Sequence, residues 1–128
     1  MTSRLKHVLV LAMLAGCGGA RSPEGAVRAL QEAAESGDRD AVWQLLGPAT
    51  RARLTADAQK AAQAAGRREL GARDLLAAGW SAPRWHAAEY DVLASDGTTA
   101  TVEVRGPAHE RETLRCVRQG AQWTVELP

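Results

Sequence analysis

Cysteine is scarce in this sequence: Cys17 and Cys116 are the two in 128 residues. Histidine is scarce as well, with three, and His7 lies in the first ten residues. No clustered set of ligands results, so a bound metal or other cofactor is not expected. Long apolar runs are missing. The longest, Val8–Ala15, holds eight residues, which as a helix span about 12 Å against about 30 Å of bilayer hydrocarbon. That run cannot cross a membrane alone. A surplus of either charge is also missing, with 16 basic residues against 15 acidic ones. Nucleic acid, whose binding rests largely on neutralising phosphates, is therefore not an expected partner. The length leaves room for one domain and not for two ordinary ones.

What is present begins at the N-terminus. Met1–His7 carries Arg4 and Lys6 without an acid, the apolar run follows, and then come small residues around Cys17. A basic start, a short apolar stretch and a small-residue cleavage site form the pattern of a secretory signal peptide. Leu14-Ala15-Gly16-Cys17 resembles the lipobox of bacterial lipoproteins, in which a leucine and two small residues precede an obligatory cysteine. The resemblance implies a lipoprotein signal peptide over 1–16. It also implies a mature chain whose first residue, Cys17, carries a diacylglyceryl thioether and a further fatty acyl chain such as palmitate. More than one chain is needed for stable anchoring, because a single one binds reversibly. Gly18 stands where an Asp is associated with inner-membrane retention, which implies the outer membrane of a diderm bacterium. An ordinary signal peptide with a coincidental cysteine, or a buried N-terminal strand, is the alternative.

Loss of residues 1–16 would remove Arg4 and Lys6, so the 16 basic residues fall to 14 against 15 acids. Cys116 would be the one free thiol, and packing alone must hold the core. Residues 17–22 then form the anchor and a short tether, too short to carry the domain across a periplasm. Residues 23–128 form a single domain.

Within that domain, Ser22-Pro23-Glu24 reads as an N-cap, a first-turn proline and an acid at the positive helix end. Val27, Leu30 and Ala34 follow at helical spacing up to Gly37. Asp38 caps a second, shorter helix carrying Val42, Leu45 and Leu46, closed by Gly47-Pro48. Ala49–Leu54 predicts another turn or two, and Thr55 is a candidate cap for the next helix. That helix is expected to break near Gly66, with an Ala-rich, lightly packed first half and with Leu70, Leu75 and Leu76 as contacts in its second half.

From Glu89 the period becomes alternating. Tyr90, Val92 and Ala94 share one predicted strand face, with Glu89 and Asp91 on the other. Ser95-Asp96-Gly97 reads as a hairpin turn. Ala100, Val102 and Val104 then point inward, as do Leu114 and Cys116 in the third strand and Trp123, Val125 and Leu127 in the fourth. Glu103, Arg105, Thr124 and Glu126 are expected on the solvated face. The predicted fold class is α+β, with N-terminal helices packed on a curved, mainly antiparallel sheet of about four strands.

The stretches SPEGAVRALQEAAESGDRDAVWQLL at 22–46, PATRARL at 48–54 and GAQWTVEL at 120–127 resemble the nuclear transport factor two and ketosteroid isomerase-like superfamily of cone-shaped, cystatin-like domains. Enzymes of that superfamily use carboxylates or a His-Asp pair inside the cone. Here the inward positions offer Tyr90 and, at the start of the third strand, Glu110 and Glu112. His86 and His109 lie at strand beginnings with no acid at a convincing pairing position. Cys116 reads as a small buried hydrophobe. No catalytic residue is therefore assigned.

Trp43 and Trp123 are expected in the core. Trp80 and Trp85 flank Pro83 in the loop entering the sheet, either as a hydrophobic plug or as an aromatic rim, the residue type enriched at binding hot spots. The expected function is a membrane-anchored, non-enzymatic binding module of the cell envelope. Its partners are the bilayer through Cys17 and an envelope protein through Trp80 and Trp85, while Tyr90 and Glu112 are the binding candidates of a pocket. A small-molecule-binding or isomerase-like cone domain with a pocket near Tyr90 is the alternative.

Overall fold

The computed structural model describes residues 20–66, 71–79 and 85–128. Residues 1–19, with the Leu14–Cys17 motif, lie outside the described residues, as do Leu70 and Trp80. Four helices precede four strands. They are α1 (Pro23–Ser36), α2 (Arg39–Leu45), α3 (Pro48–Ala65), α4 (Ala72–Gly79), β1 (Glu89–Ser95), β2 (Thr99–Arg105), β3 (Arg111–Gln119) and β4 (Gln122–Glu126). The strands form one antiparallel sheet in the order β1-β2-β3-β4. This is the α+β arrangement of helices on a four-stranded sheet that the periodicity predicts.

The helix starts follow their caps. The Ser22 hydroxyl accepts from the Gly25 amide at 3.1 Å, and the Asp38 carboxylate accepts from the Ala41 amide at 3.0 Å. Between them Gly37 closes α1 in the left-handed conformation, at φ 74°, which costs glycine little. The buried face of α1 comprises Ala26, Val27, Leu30, Gln31 and Ala33. It packs with Val42, Leu46 and Leu76 on Ala100, Val102, Val104, Leu114, Cys116, Trp123 and Val125 of the sheet.

The middle segment differs from the expected break at Leu54. Helix α3 runs through Thr55, whose hydroxyl donates back to the Arg51 carbonyl at 2.8 Å. A threonine can satisfy its hydroxyl inside a helix in this way, so a capping residue type need not mark a start. The predicted stop at Gly66 is present, at φ 67°. Thr50 and Ala58 are the buried residues of α3, in keeping with an alanine-rich, lightly packed helix.

Strand β4 is the junction of the fold. β3 pairs along one side of it. Ala20 forms an antiparallel bridge to Trp123, and Leu46 a parallel bridge to Val125. The hydrogen bonds Trp123 N–H to Ala20 and Gly47 N–H to Val125 are both 2.8 Å. Thr124 and Glu126, expected on the solvated face, are not free there. Thr124 is buried and donates to the Val117 carbonyl at 3.1 Å. Glu126 reaches the start of α3, where its two carboxylate oxygens accept from the Ala49 and Thr50 amides at 3.2 and 2.9 Å. Gly47, the N-cap of α3, has no side chain to cap with, and Glu126 takes that role from the other end of the sequence. Alternation specifies which way a side chain leaves a strand, but not which helix end waits there.

At the opposite edge, β1 pairs with no further strand among the described residues. Tyr90 is half-buried, but Val92, expected inward, is 38% exposed and Leu93 is 56% exposed. The register of β1 against β2 shifts between Val92 and Ala94. Such a bulge turns the strand away from the sheet, and the helices cover its Tyr90 end alone. Trp123 is in the core as expected. Trp43 is half-buried at the core's edge, with the Arg51 and Arg73 guanidinium groups 5.6 and 5.9 Å from its ring centre.

Candidate binding site

Tyr90 and Glu112 stand on either side of Val104 in the register of β1, β2 and β3. Two residues beyond Val104, Gly106 lets Trp85 approach, since a Cβ added there would lie 2.7 Å from the indole Cε3. The structure thus gathers Trp85, Tyr90 and Glu112 at one end of the sheet's inner face. It does not bring all three into one cleft: Val104 is buried between Tyr90 and Glu112, and Glu112 lies outside the cavity that Tyr90 lines.

That cavity has a volume of about 350 Å³ and lies between α1 and the start of β1, lined by Arg28, Gln31, Glu32, Glu35, His86, Ala87, Ala88 and Tyr90. Spacing along α1 brings Arg28, Gln31, Glu32 and Glu35 to one side of the helix, because residues three and four apart are neighbours. The Tyr90 hydroxyl donates to the Gln31 side-chain oxygen at 2.7 Å. Arg28 covers the ring, its guanidinium carbon 4.9 Å from the centre. At the mouth, His86 Nδ1 is 3.2 Å from a Glu35 carboxylate oxygen. This corrects the expectation that His86 has no acid to pair with. The partner comes from a helix 51 residues earlier, a separation that no local pattern reports.

What this group offers chemically is polar contacts. Burial pushes the Tyr90 hydroxyl above its ordinary pKa; Arg28 opposes this and Glu35 and Glu32 reinforce it. The phenol is therefore neutral near pH 7 and serves as a hydrogen-bond donor. Small-molecule pockets are mostly apolar with a few polar groups, whereas charged and amide side chains dominate here. The His86–Glu35 pair is exposed, where water screens such interactions and lowers their worth.

A second depression of about 280 Å³ lies beside the β2–β3 turn and is lined in part by Glu89, Arg105, His109 and Arg111. Arg105 pairs there with Glu89 and Asp91. These charges are matched within one sheet surface. Cys116 is fully buried, with Sγ 3.7 Å from the Pro23 carbonyl oxygen. Burial, aided by Glu24, raises its pKa to about 12, so the thiolate needed of a nucleophile is absent at neutral pH. Among the described residues no group of three or more His, Cys, Asp or Glu is placed to hold a metal ion. None of the described helices is long and apolar enough to cross a membrane.

Comparison of the chain with protein-family models, with curated proteins and with solved structures finds no match.

Proposed function

We propose that this chain is a lipoprotein of the bacterial cell envelope whose cystatin-like domain binds a protein partner without catalysing a reaction. The observation that carries the anchoring is positional. Cys17 of the Leu14–Cys17 motif precedes Ala20 by three residues, and Ala20 is already hydrogen-bonded to β4. A cleavage before Cys17 would leave the folded part whole and tie it directly to the acyl chains. Gly18 favours the outer membrane. The partner surface in this reading is the end of the sheet bearing Trp85 and Tyr90, continued along β1 by exposed Val92 and Leu93. Trp80 and Glu112 are its remaining candidates.

The cavity beside Tyr90 favours a second reading, a site for a small polar molecule. Its isomerase-like form has less support, because Tyr90 is neutral and Glu112 is separated from it by Val104.

Intact-mass measurement of the protein from native membranes tests the anchor: a chain starting at Cys17 with added acyl mass is expected, and one without it refutes the lipoprotein reading. Cross-linking and affinity capture from native envelopes, with bound small molecules identified alongside proteins, separates the two binding readings. A protein partner lost on replacing Trp85 in a chain that still folds supports the first. A small molecule retained by wild type and lost in Tyr90→Phe supports the second.

A further inference from the structure

We infer that the corner of the domain formed by Ala20, Arg21 and the β3–β4 turn rests on phospholipid headgroups, and that the Tyr90 cavity faces away from the membrane. This rests on anchoring at Cys17, as proposed above, and adds an orientation to it. Three residues of extended chain span at most about 10 Å, so Ala20 must lie within that distance of the lipidated cysteine. Ala20 is fixed in the fold by its bridge to Trp123, next to the β3–β4 turn, on the side of β4 away from β3. The β1–β2 turn is at the same end, because the Arg118 amide donates to the Thr98 carbonyl at 2.8 Å.

Tyr90 is displaced from Ala20 in both directions of the sheet. It lies on β1, at the far edge, about 19 Å away at four strand spacings. It pairs with Val104, whereas Thr98 marks the level of the turns. Those six residues of β2 add about 20 Å along the strands. The cavity and the tether therefore occupy diagonally opposite corners, roughly 28 Å apart by these spacings. A tether of about 10 Å holds one corner down and leaves the other raised.

The lowered corner suits phosphodiester headgroups. Arg21 and Arg118 are exposed there, and cations near an anionic surface gain attraction over a Debye length. The nearby Asp96 carboxylate, kept ionised by the amides and hydroxyls of Thr98 and Thr99, offsets one of these two positive charges and leaves the other. The remaining turn residues Gln119, Gly120, Ala121 and Gln122 are exposed and uncharged.

The test uses the full-length protein purified from membranes and reconstituted into phosphatidylcholine–phosphatidylglycerol vesicles that carry a headgroup-attached nitroxide quencher. A fluorophore is placed by Gln119→Cys at the lowered corner, with Gln122→Cys as a second site there, or by Glu35→Cys at the cavity. Buried Cys116 does not compete for the label. Intact mass is recorded on each sample. With acyl mass present, several-fold stronger quenching at 119 and 122 than at 35 is the expected result. Equal quenching at both corners, or stronger quenching at 35, overturns the orientation while leaving the anchor standing. A chain without acyl mass overturns the anchor, and the orientation with it.

Discussion

Removing the Glu126 carboxylate should loosen the start of α3 on the sheet, leaving the Gly47–Val125 bond in place. In the structure that carboxylate supplies the acceptors that Gly47 cannot, taking the Ala49 amide on one oxygen and the partly buried Thr50 amide on the other. Loss of a capping side chain costs about 1 kcal/mol, with a range of roughly 0.5–2. A negative charge at a helix N-terminus adds about 0.3–1 kcal/mol. Glu126→Ala should therefore lower stability by about 2 kcal/mol, a loss that shifts the melting midpoint of a domain this size by roughly 8 °C or more. Glu126→Gln, which keeps an acceptor oxygen and removes the charge, should recover about half of this. The two effects separate with pH. Burial works to raise the Glu126 pKa, but the hydrogen bonds from Thr50 and Ala49 and the charge of Arg115 outweigh it, and the net shift is downward. The unfolded chain thus takes up the proton first as pH falls. The contribution of Glu126 is complete above its ordinary pKa near 4.5 and is lost as pH falls through the lower folded-state value. Urea denaturation of wild type and Glu126→Ala at a series of pH values measures it. A difference below about 0.5 kcal/mol at pH 7, under the capping range, would refute the reasoning. So would one that fails to shrink in acid.

Trp123→Ala should cost about 3–5 kcal/mol in the same assay, since it removes a buried indole at the strand that joins helices to sheet. A cost under about 1 kcal/mol would deny the indole its place in the core. Cys116 should resist thiol reagents at pH 8 in the folded protein and react fully in denaturant; rapid reaction of the folded state would contradict its burial. Tyr90→Phe should destabilise by about 1–2 kcal/mol, because Gln31 is buried and loses its donor. A neutral outcome in melting curves would mean that water replaces the hydroxyl there.

The elements with strong local signals were legible before the structure. Ser22, Asp38, Gly37 and Gly66 mark helix ends by their own side-chain or backbone chemistry, and the alternation in β2 placed Ala100, Val102 and Val104 inward. Val92 failed because alternation is a statement about direction, whereas burial also needs a covering element, and among the described residues none buries the outer half of this edge strand. Thr55 failed because its hydroxyl has two ways to find a partner, forward as a cap or back to Arg51. In the candidate site, Tyr90 was visible as the single polar inward residue of its strand. Its companions Gln31, Glu35 and Arg28 were not, because they belong to α1 and their approach depends on how that helix crosses the sheet. The Glu126 cap was illegible for the same reason, spanning 76 residues to Thr50.

The position of β4 also sets a schedule for folding. Synthesis delivers a chain N-terminus first, and every segment that β4 joins, at Ala20, Leu46, Thr50 and along β3, precedes it. Until Trp123 and Val125 arrive, the floor beneath the buried face of α1 is incomplete and the start of α3 has no cap. These long-range closures carry the entropic cost of the loops they close and return little until all are made. A chain still being synthesised thus lacks the contacts that close its domain. It becomes a closed domain once β4 has been made, when its neighbours are already waiting.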